Sequence, residues 1–345
     1  MLTTVRGLQA QYSLNSVIFG VWANGVPVVT GAIGTALPGV PATREDHFRI
    51  GNTTESLETT LLLQLVDRGK IRLDDPLSKW YPSLPEASKI TVAMLASSTS
   101  GYFHYVNDEN FIDAVHADPF RLWSPSELVA VGTSPTHPLN FPPGTSWSFS
   151  DTNFVLLGEI LGKVGGEPVS AQLQKMILGP LGLDNTQMTT AADTPSPVLH
   201  GYTGERGVWE DDTFWSPSWA TYTGNMTSDL SDMGRWAKTV GTGVLLSAKS
   251  RARQFAPDTV GLGHLTSTFY YGLGGAVANG WILGGAPGLE GYTGLVSYLP
   301  AKKLAVVIFT TSTPQSPAGV QYAPAIFNRV GAQLAPSSPP NFPAG

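Results

Sequence analysis

Two Asn-Gly pairs, Asn24-Gly25 and Asn279-Gly280, lie near opposite ends of this 345-residue chain, each next to runs rich in β-branched and aromatic residues. Such pairs close two-residue hairpins, because both positions must take positive φ and Asn and Gly do so at least cost. The first pair joins Ser16–Ala23 (SVIFGVWA) to residues 26–31 (VPVVTG), and residues 2–14 before it read as a helix packed on the sheet. The second follows a strand signal at 270–278. Further runs at 291–299 and 304–310 are linked by Pro300-Ala301-Lys302-Lys303, and a helical pattern at 320–334 closes the set. Helical periodicity dominates between these ends, at 91–97, 126–132, 153–164, 169–177 and 229–240. Strands from both termini with helices between them predict an α+β class: one antiparallel sheet flanked by helices, with a helical lobe inserted.

A content of 42% hydrophobic residues is enough for a sizeable core, whereas only 13% are charged, so packing and backbone hydrogen bonds must carry stability. The formal net charge of −6, with Lys302-Lys303 as the longest basic run, argues against nucleic acid as a partner. No cysteine is present, which excludes disulfides and thiolate metal sites. No apolar stretch is long enough to span a bilayer, and no secretory signal is visible after Met1. The six histidines are scattered without i,i+4 pairing, and no Gly-rich phosphate loop follows a strand. The expectation is therefore no cofactor and no metal.

The segment 48–82, FRIGNTTESLETTLLLQLVDRGKIRLDDPLSKWYP, enters a helix at Asn52 after a short strand at 48–51. It resembles the active-site helix region of the serine β-lactamase and penicillin-binding protein family, of the class C β-lactamase, D-Ala-D-Ala carboxypeptidase and esterase type. Residues 95–101 (LASSTSG), 143–159 (PGTSWSFSDTNFVLLGE), 224–237 (GNMTSDLSDMGRWA) and 271–311 are similar to later blocks of that family in the same order. The resemblance covers nearly the whole chain and implies a β-lactamase/transpeptidase-like fold. It places a single domain at 1–335, with a sheet lobe at about 1–73 and 225–335, a helical lobe at about 74–224, and a disordered Pro-rich tail at 336–345. It also implies an extracytoplasmic setting and cell-wall peptides or small esters as substrates.

The family's chemistry resides in three motifs, and this chain departs from all of them. Ser-x-x-Lys, a nucleophile with its base one helical turn away, reads Asn52 and Glu55. Tyr-x-Asn reads Phe149-Ser150-Asp151, and the third motif, with His or Lys two residues before Gly, reads Leu283-Gly284-Gly285. No lysine has Ser or Thr three residues before it, so the first motif has not moved elsewhere. Loss of the nucleophile alone costs on the order of 10⁶ in turnover in another serine hydrolase. The expectation is a homologue without serine acyl-transfer chemistry, a pseudoenzyme binding a small molecule or peptide in its cleft, or a protein partner.

The alternative is an enzyme running on Glu55 and Asp151, which the resemblance brings into one pocket. Two adjacent carboxyls repel, one pKa rises, and the pair then offers an acid and a base. Local structure offers another role for each: Glu55 as capping-box partner of an N-cap Asn52, and Asp151 as the cap of the 153–164 helix. Ser150 and Ser56 read as structural serines, and Tyr105-Val106-Asn107 as a chance match to Tyr-x-Asn outside its block. The candidate pocket comprises Asn52, Glu55, Phe149, Ser150, Asp151, Leu283, Gly284 and Gly285. His104, and Trp215 and Trp219 from the Trp209–Trp219 stretch, are further candidates. The oligomeric state is not legible in the sequence.

Overall fold

The computed structural model describes residues 1–284 and 291–343. Eight antiparallel strands form the main sheet in the order Val40–Pro41, Val26–Leu37, Ser16–Ala23, Leu304–Thr311, Tyr292–Leu299, Trp281–Gly284, Ala276–Ala278, Phe269–Tyr271. Both Asn-Gly pairs make the expected hairpins, with φ of 55° and 83° at Asn24-Gly25 and 47° and 82° at Asn279-Gly280. The N-terminal strand Ser16–Ala23 pairs along its whole length with Leu304–Thr311, so the sheet is assembled from both ends of the chain.

The central strands are buried on both faces. Trp22 and Tyr298 both lie opposite Ala305, hence on one face. There Gly234 and Gly241 bring the Leu230–Thr242 helix so close that an added Cβ would strike each ring. Trp281, on the other face, meets Phe327 of the Tyr322–Leu334 helix edge-on at 5.1 Å. Helices on both sides turn the sheet into a central layer.

The Thr53–Asp67 helix is buried through Leu65, including Thr53, Thr54, Glu55, Ser56, Glu58, Thr59 and Thr60. A helix buried on all sides needs its polar side chains satisfied locally. Thr59 and Thr60 do this by donating to the Glu55 and Ser56 carbonyls, at 2.9 and 2.8 Å. The Asp151–Gly165 helix packs against it.

Three local expectations differ from the structure. The run at 270–278 is two strands folded at Gly274, where φ is 67°. The helix expected over 169–177 ends at Leu173 and continues as a π-helical segment, Gln174–Leu178. Residues 336–343, expected as a disordered tail, run along the protein surface with hydrogen bonds from Trp281 to the Ser338 carbonyl (2.8 Å) and from Asn279 to that of Pro339 (2.8 Å). Among the described residues no helix is long and apolar enough to cross a membrane.

Candidate active-site cleft

A short strand, Phe48–Arg49, carries the chain through Gly51 (φ 50°) to the start of the Thr53–Asp67 helix. Asn52 stands there at φ −62° and ψ −5°, already helical, and an N-cap needs extended geometry to turn its side chain back onto the helix amides. Its amide therefore points away, donating to Glu55 Oε1 at 2.7 Å and to Asp151 Oδ1 at 3.3 Å. The capping box does not form. Asp151 caps nothing either: it is the first residue of its own helix, preceded by Ser150 with no side-chain cap bond. Both local roles are corrected, and the two acids instead share one donor. Their acceptor oxygens are separated by at most the sum of the two bond lengths, about 6 Å.

Tyr271 fixes the other side of Glu55, donating to Oε2 at 3.0 Å. Burial pushes the Glu55 carboxyl well above the usual carboxylate range, and the neighbouring Asp151 pushes in the same direction. Burial also raises Asp151, against the opposing influence of His104 and the Asn52 amide. Glu58, one turn further along, is fully buried, and neither carboxyl oxygen has a hydrogen-bond partner among the described residues. Burial and then Glu55 raise its pKa strongly. Burial without a hydrogen-bond partner disfavours the charged form of such a carboxyl, so this end of the helix favours protonation more than water does. The Asp151 amide donates to His104 Nδ1 at 3.1 Å, making that nitrogen an acceptor.

Asn52, Glu55 and Asp151 form the floor of a cavity of about 360 Å³. Its walls are Trp147, Phe149, Trp219, Phe269, Tyr271 and Phe342, with Val106, Ala276 and Leu283; His104 and Gln321 add polar edges. The rings brace one another: Tyr271 lies 5.5 Å from Trp147, and Phe149 meets His104 edge-on at 5.5 Å. A mostly apolar cleft with a few convergent polar groups is the usual form of a small-molecule site.

Of the sequence candidates, Asn52, Glu55, Phe149, Asp151, Leu283, Trp219 and His104 line this cleft. Ser150 does not, because its buried hydroxyl donates to the Phe103 carbonyl at 3.0 Å. The Gly284 carbonyl accepts from Thr53 at 3.2 Å behind the wall, and Gly285 lies outside the described residues. Trp215 sits elsewhere: its carbonyl accepts from Arg49 and its ring faces His116 and Arg206. Ser56 is satisfied within the core, donating to the Thr53 carbonyl and accepting from the Trp236 indole. Tyr105 donates to the Trp219 carbonyl at 2.7 Å and so steadies a wall residue. The sequence reading, which took Val106 only as part of a chance match, also missed Trp147, Phe269, Tyr271, Ala276, Gln321 and Phe342. Trp147, Tyr271 and Ala276 stood in blocks that resembled the family, and nothing local marks any of the six as cleft residues. Among the described residues no group of three or more His, Cys, Asp and Glu side chains is arranged to hold a metal ion.

Comparison with known proteins agrees with this architecture. A D-stereospecific amidohydrolase from Streptomyces sp. superposes with a TM-score of 0.80 and 27% identity, covering 91% of this chain and 96% of that one. The D-amino acid amidase of Ochrobactrum anthropi superposes with a TM-score of 0.79 at 24% identity, over 95% and 96% of the two chains, which speaks to the fold alone. Among curated sequences, the D-alanyl-D-alanine-carboxypeptidase/endopeptidase AmpH of Escherichia coli is 29% identical over 54% of this chain and 47% of its own. A Bacillus subtilis protein provisionally named penicillin-binding protein PbpX is 27% identical over 68% and 54%. This chain thus spans about half the length of the curated relatives it matches. Residues 2–330 match the beta-lactamase family, and with the sheet, the buried helix and the cleft in place, the chain belongs to that β-lactamase/transpeptidase-like family.

Proposed function

We propose that this family member binds a ligand in the cleft without acylating a serine. The observation that carries the reading is the Asn52 amide, hydrogen-bonded to Glu55 and Asp151 where the resembling motif has a nucleophile and its base. A carboxamide does not attack a carbonyl, and a carboxyl whose burial favours its protonated form is a poor replacement for a lysine that takes up a proton. Ser56 and Ser150 have hydroxyls committed to backbone carbonyls away from the cleft, so neither supplies the missing group.

The cleft's chemistry selects its ligand. Aromatic walls favour an apolar or aromatic moiety, and the acidic floor favours a hydrogen-bond donor or an ammonium. A free carboxylate, as in penicillins, meets no cation among the described lining residues and faces two acids. The similar Streptomyces protein is a D-stereospecific amidohydrolase, which makes D-phenylalanine amide, with its ring and ammonium, a suitable probe.

Three measurements test this reading. Intact mass after incubation with penicillin should show no adduct, and a chromogenic ester and cephalosporin should not turn over. Calorimetry should show saturable binding of D-phenylalanine amide and none of penicillin. A covalent adduct on any serine would overturn the proposal.

A second reading rests on the raised Glu55 carboxyl beside Asp151 at an open cleft. Asp151 would take a proton from a water whose oxygen adds to an acyl carbon, while Glu55 hands its proton to the departing atom. Proton transfer from Asp151 back to Glu55 would reset the pair. Turnover of the ester with a bell-shaped pH profile, abolished by Glu55→Gln, would favour this reading. Absence of turnover in both proteins would end it.

A further inference from the structure

Outside the blocks that resemble the family, the Pro-rich segment 336–343 shapes the cleft. After the Tyr322–Leu334 helix the chain doubles back along it. Pro340 lies buried against Gly331, where an added Cβ would come within 2.5 Å of the proline ring. Phe342 then reaches Asn328, one turn nearer the helix start. The Asn328 side chain grips the Phe342 backbone from both sides, donating to its carbonyl at 2.7 Å and accepting from its amide at 3.1 Å. Trp281 and Asn279 hold Ser338 and Pro339. Four prolines in this stretch restrict the free chain, so anchoring it costs less conformational entropy than for an ordinary tail.

The path ends at the cleft. The Phe342 ring forms part of its wall and meets Phe269 edge-on at 5.9 Å. Gln321, which precedes the same helix, lines the wall as well. We propose that Phe342 is a specificity-determining residue of the cleft, setting the size of the apolar moiety that the site accepts. The inference rests on the reading above that the cleft binds a ligand with an apolar part. The pair of hydrogen bonds between Asn328 and the Phe342 backbone holds the ring in position rather than leaving it a passing surface contact.

Phe342→Ala removes the ring and leaves the backbone anchors in place. Calorimetry with D-phenylalanine amide and the bulkier D-2-naphthylalanine amide reads the effect on wild type, Phe342→Ala and Phe342→Leu. The expected result is a 3- to 10-fold loss of affinity for the smaller amide in Phe342→Ala, in line with one lost aromatic contact. The naphthyl amide should gain relative to it, and Phe342→Leu should recover part of the difference. Asn328→Ala, which frees the segment but keeps the ring, should shift the ratio in the same direction.

Nile red, a neutral apolar dye, makes the outcome independent of the ammonium chemistry: Phe342→Ala should bind it at least 3-fold more tightly than wild type. If neither amide binds any variant while Nile red distinguishes them, the ligand chemistry fails and the role of Phe342 stands. An unchanged amide ratio, or unchanged Nile red binding where the amides do not bind, would overturn the role of Phe342.

Discussion

Replacing Asn52 by Asp changes one NH₂ to an oxygen and leaves the shape almost untouched, so its cost reads the electrostatics of the floor directly. In the native protein the amide donates to Glu55 Oε1 at 2.7 Å and Asp151 Oδ1 at 3.3 Å. An ionised aspartate there would donate to neither and would place a third acid against two buried ones. Losing the shorter bond costs about 2 kcal/mol and the longer about 1 kcal/mol. Adding a buried like charge costs several more, and the new group escapes that part by staying protonated. A carboxyl whose folded pKa lies above its unfolded value stabilises the fold below the unfolded value and loses that contribution as pH rises through the folded one. Asn52→Asp should therefore cost about 2–3 kcal/mol at pH 5, about a unit above the unfolded aspartate pKa, and roughly 4 kcal/mol or more at pH 8. Asn52→Ala, with the bonds lost but no new charge, should cost about 2–3 kcal/mol at both. Urea denaturation of the three proteins at the two pH values measures this. An equal penalty for Asn52→Asp at pH 5 and pH 8 would refute the picture of a protonated, crowded floor.

The same sign governs the wild type. Glu55, Glu58 and Asp151 all have raised folded pKa values, so each contributes stability below the unfolded carboxylate range that is lost as pH rises. Glu55→Gln should flatten part of that slope in denaturation midpoints taken from pH 4 to 8; an unaltered slope would mean that Glu55 does not titrate as described. Tyr271→Phe removes a hydrogen bond that favours the Glu55 carboxylate, so its pKa should rise further, read by ¹³C NMR of the side-chain carboxyl. A downward move would contradict the Tyr271–Glu55 geometry. Gly234→Ala drives a methyl to within 2.4 Å of the buried Trp22 ring and should cost about 1–3 kcal/mol or more by thermal unfolding. A stability within 0.5 kcal/mol of wild type would show that the helix–sheet contact has slack.

Much of the fold was legible because it is local. Asn24-Gly25 and Asn279-Gly280 supply the positive-φ positions that a two-residue hairpin requires, wherever the strands finally pack. The helix after Asn52 announces itself through Leu57, Leu61, Leu62 and Leu65, and the identities of Asn52, Glu55, Phe149, Asp151 and Leu283 at the resembling motif positions were plain from residue order. What those residues do was decided by tertiary structure. Whether Asn52 caps its helix depends on one ψ angle, set by the chain path through Gly51, and its value sends the amide to two acids instead. The Pro-rich stretch 336–345 reads as disorder because composition cannot reveal that Asn328 and Trp281 anchor Phe342 and Ser338. The cleft's aromatic walls come from separate parts of the chain, and only the folded sheet brings Trp147, Phe269, Tyr271 and Phe342 together. The strongest departures in pKa follow the same logic, since desolvation depends on what covers Glu55 and Glu58, and the covering residues are remote in sequence.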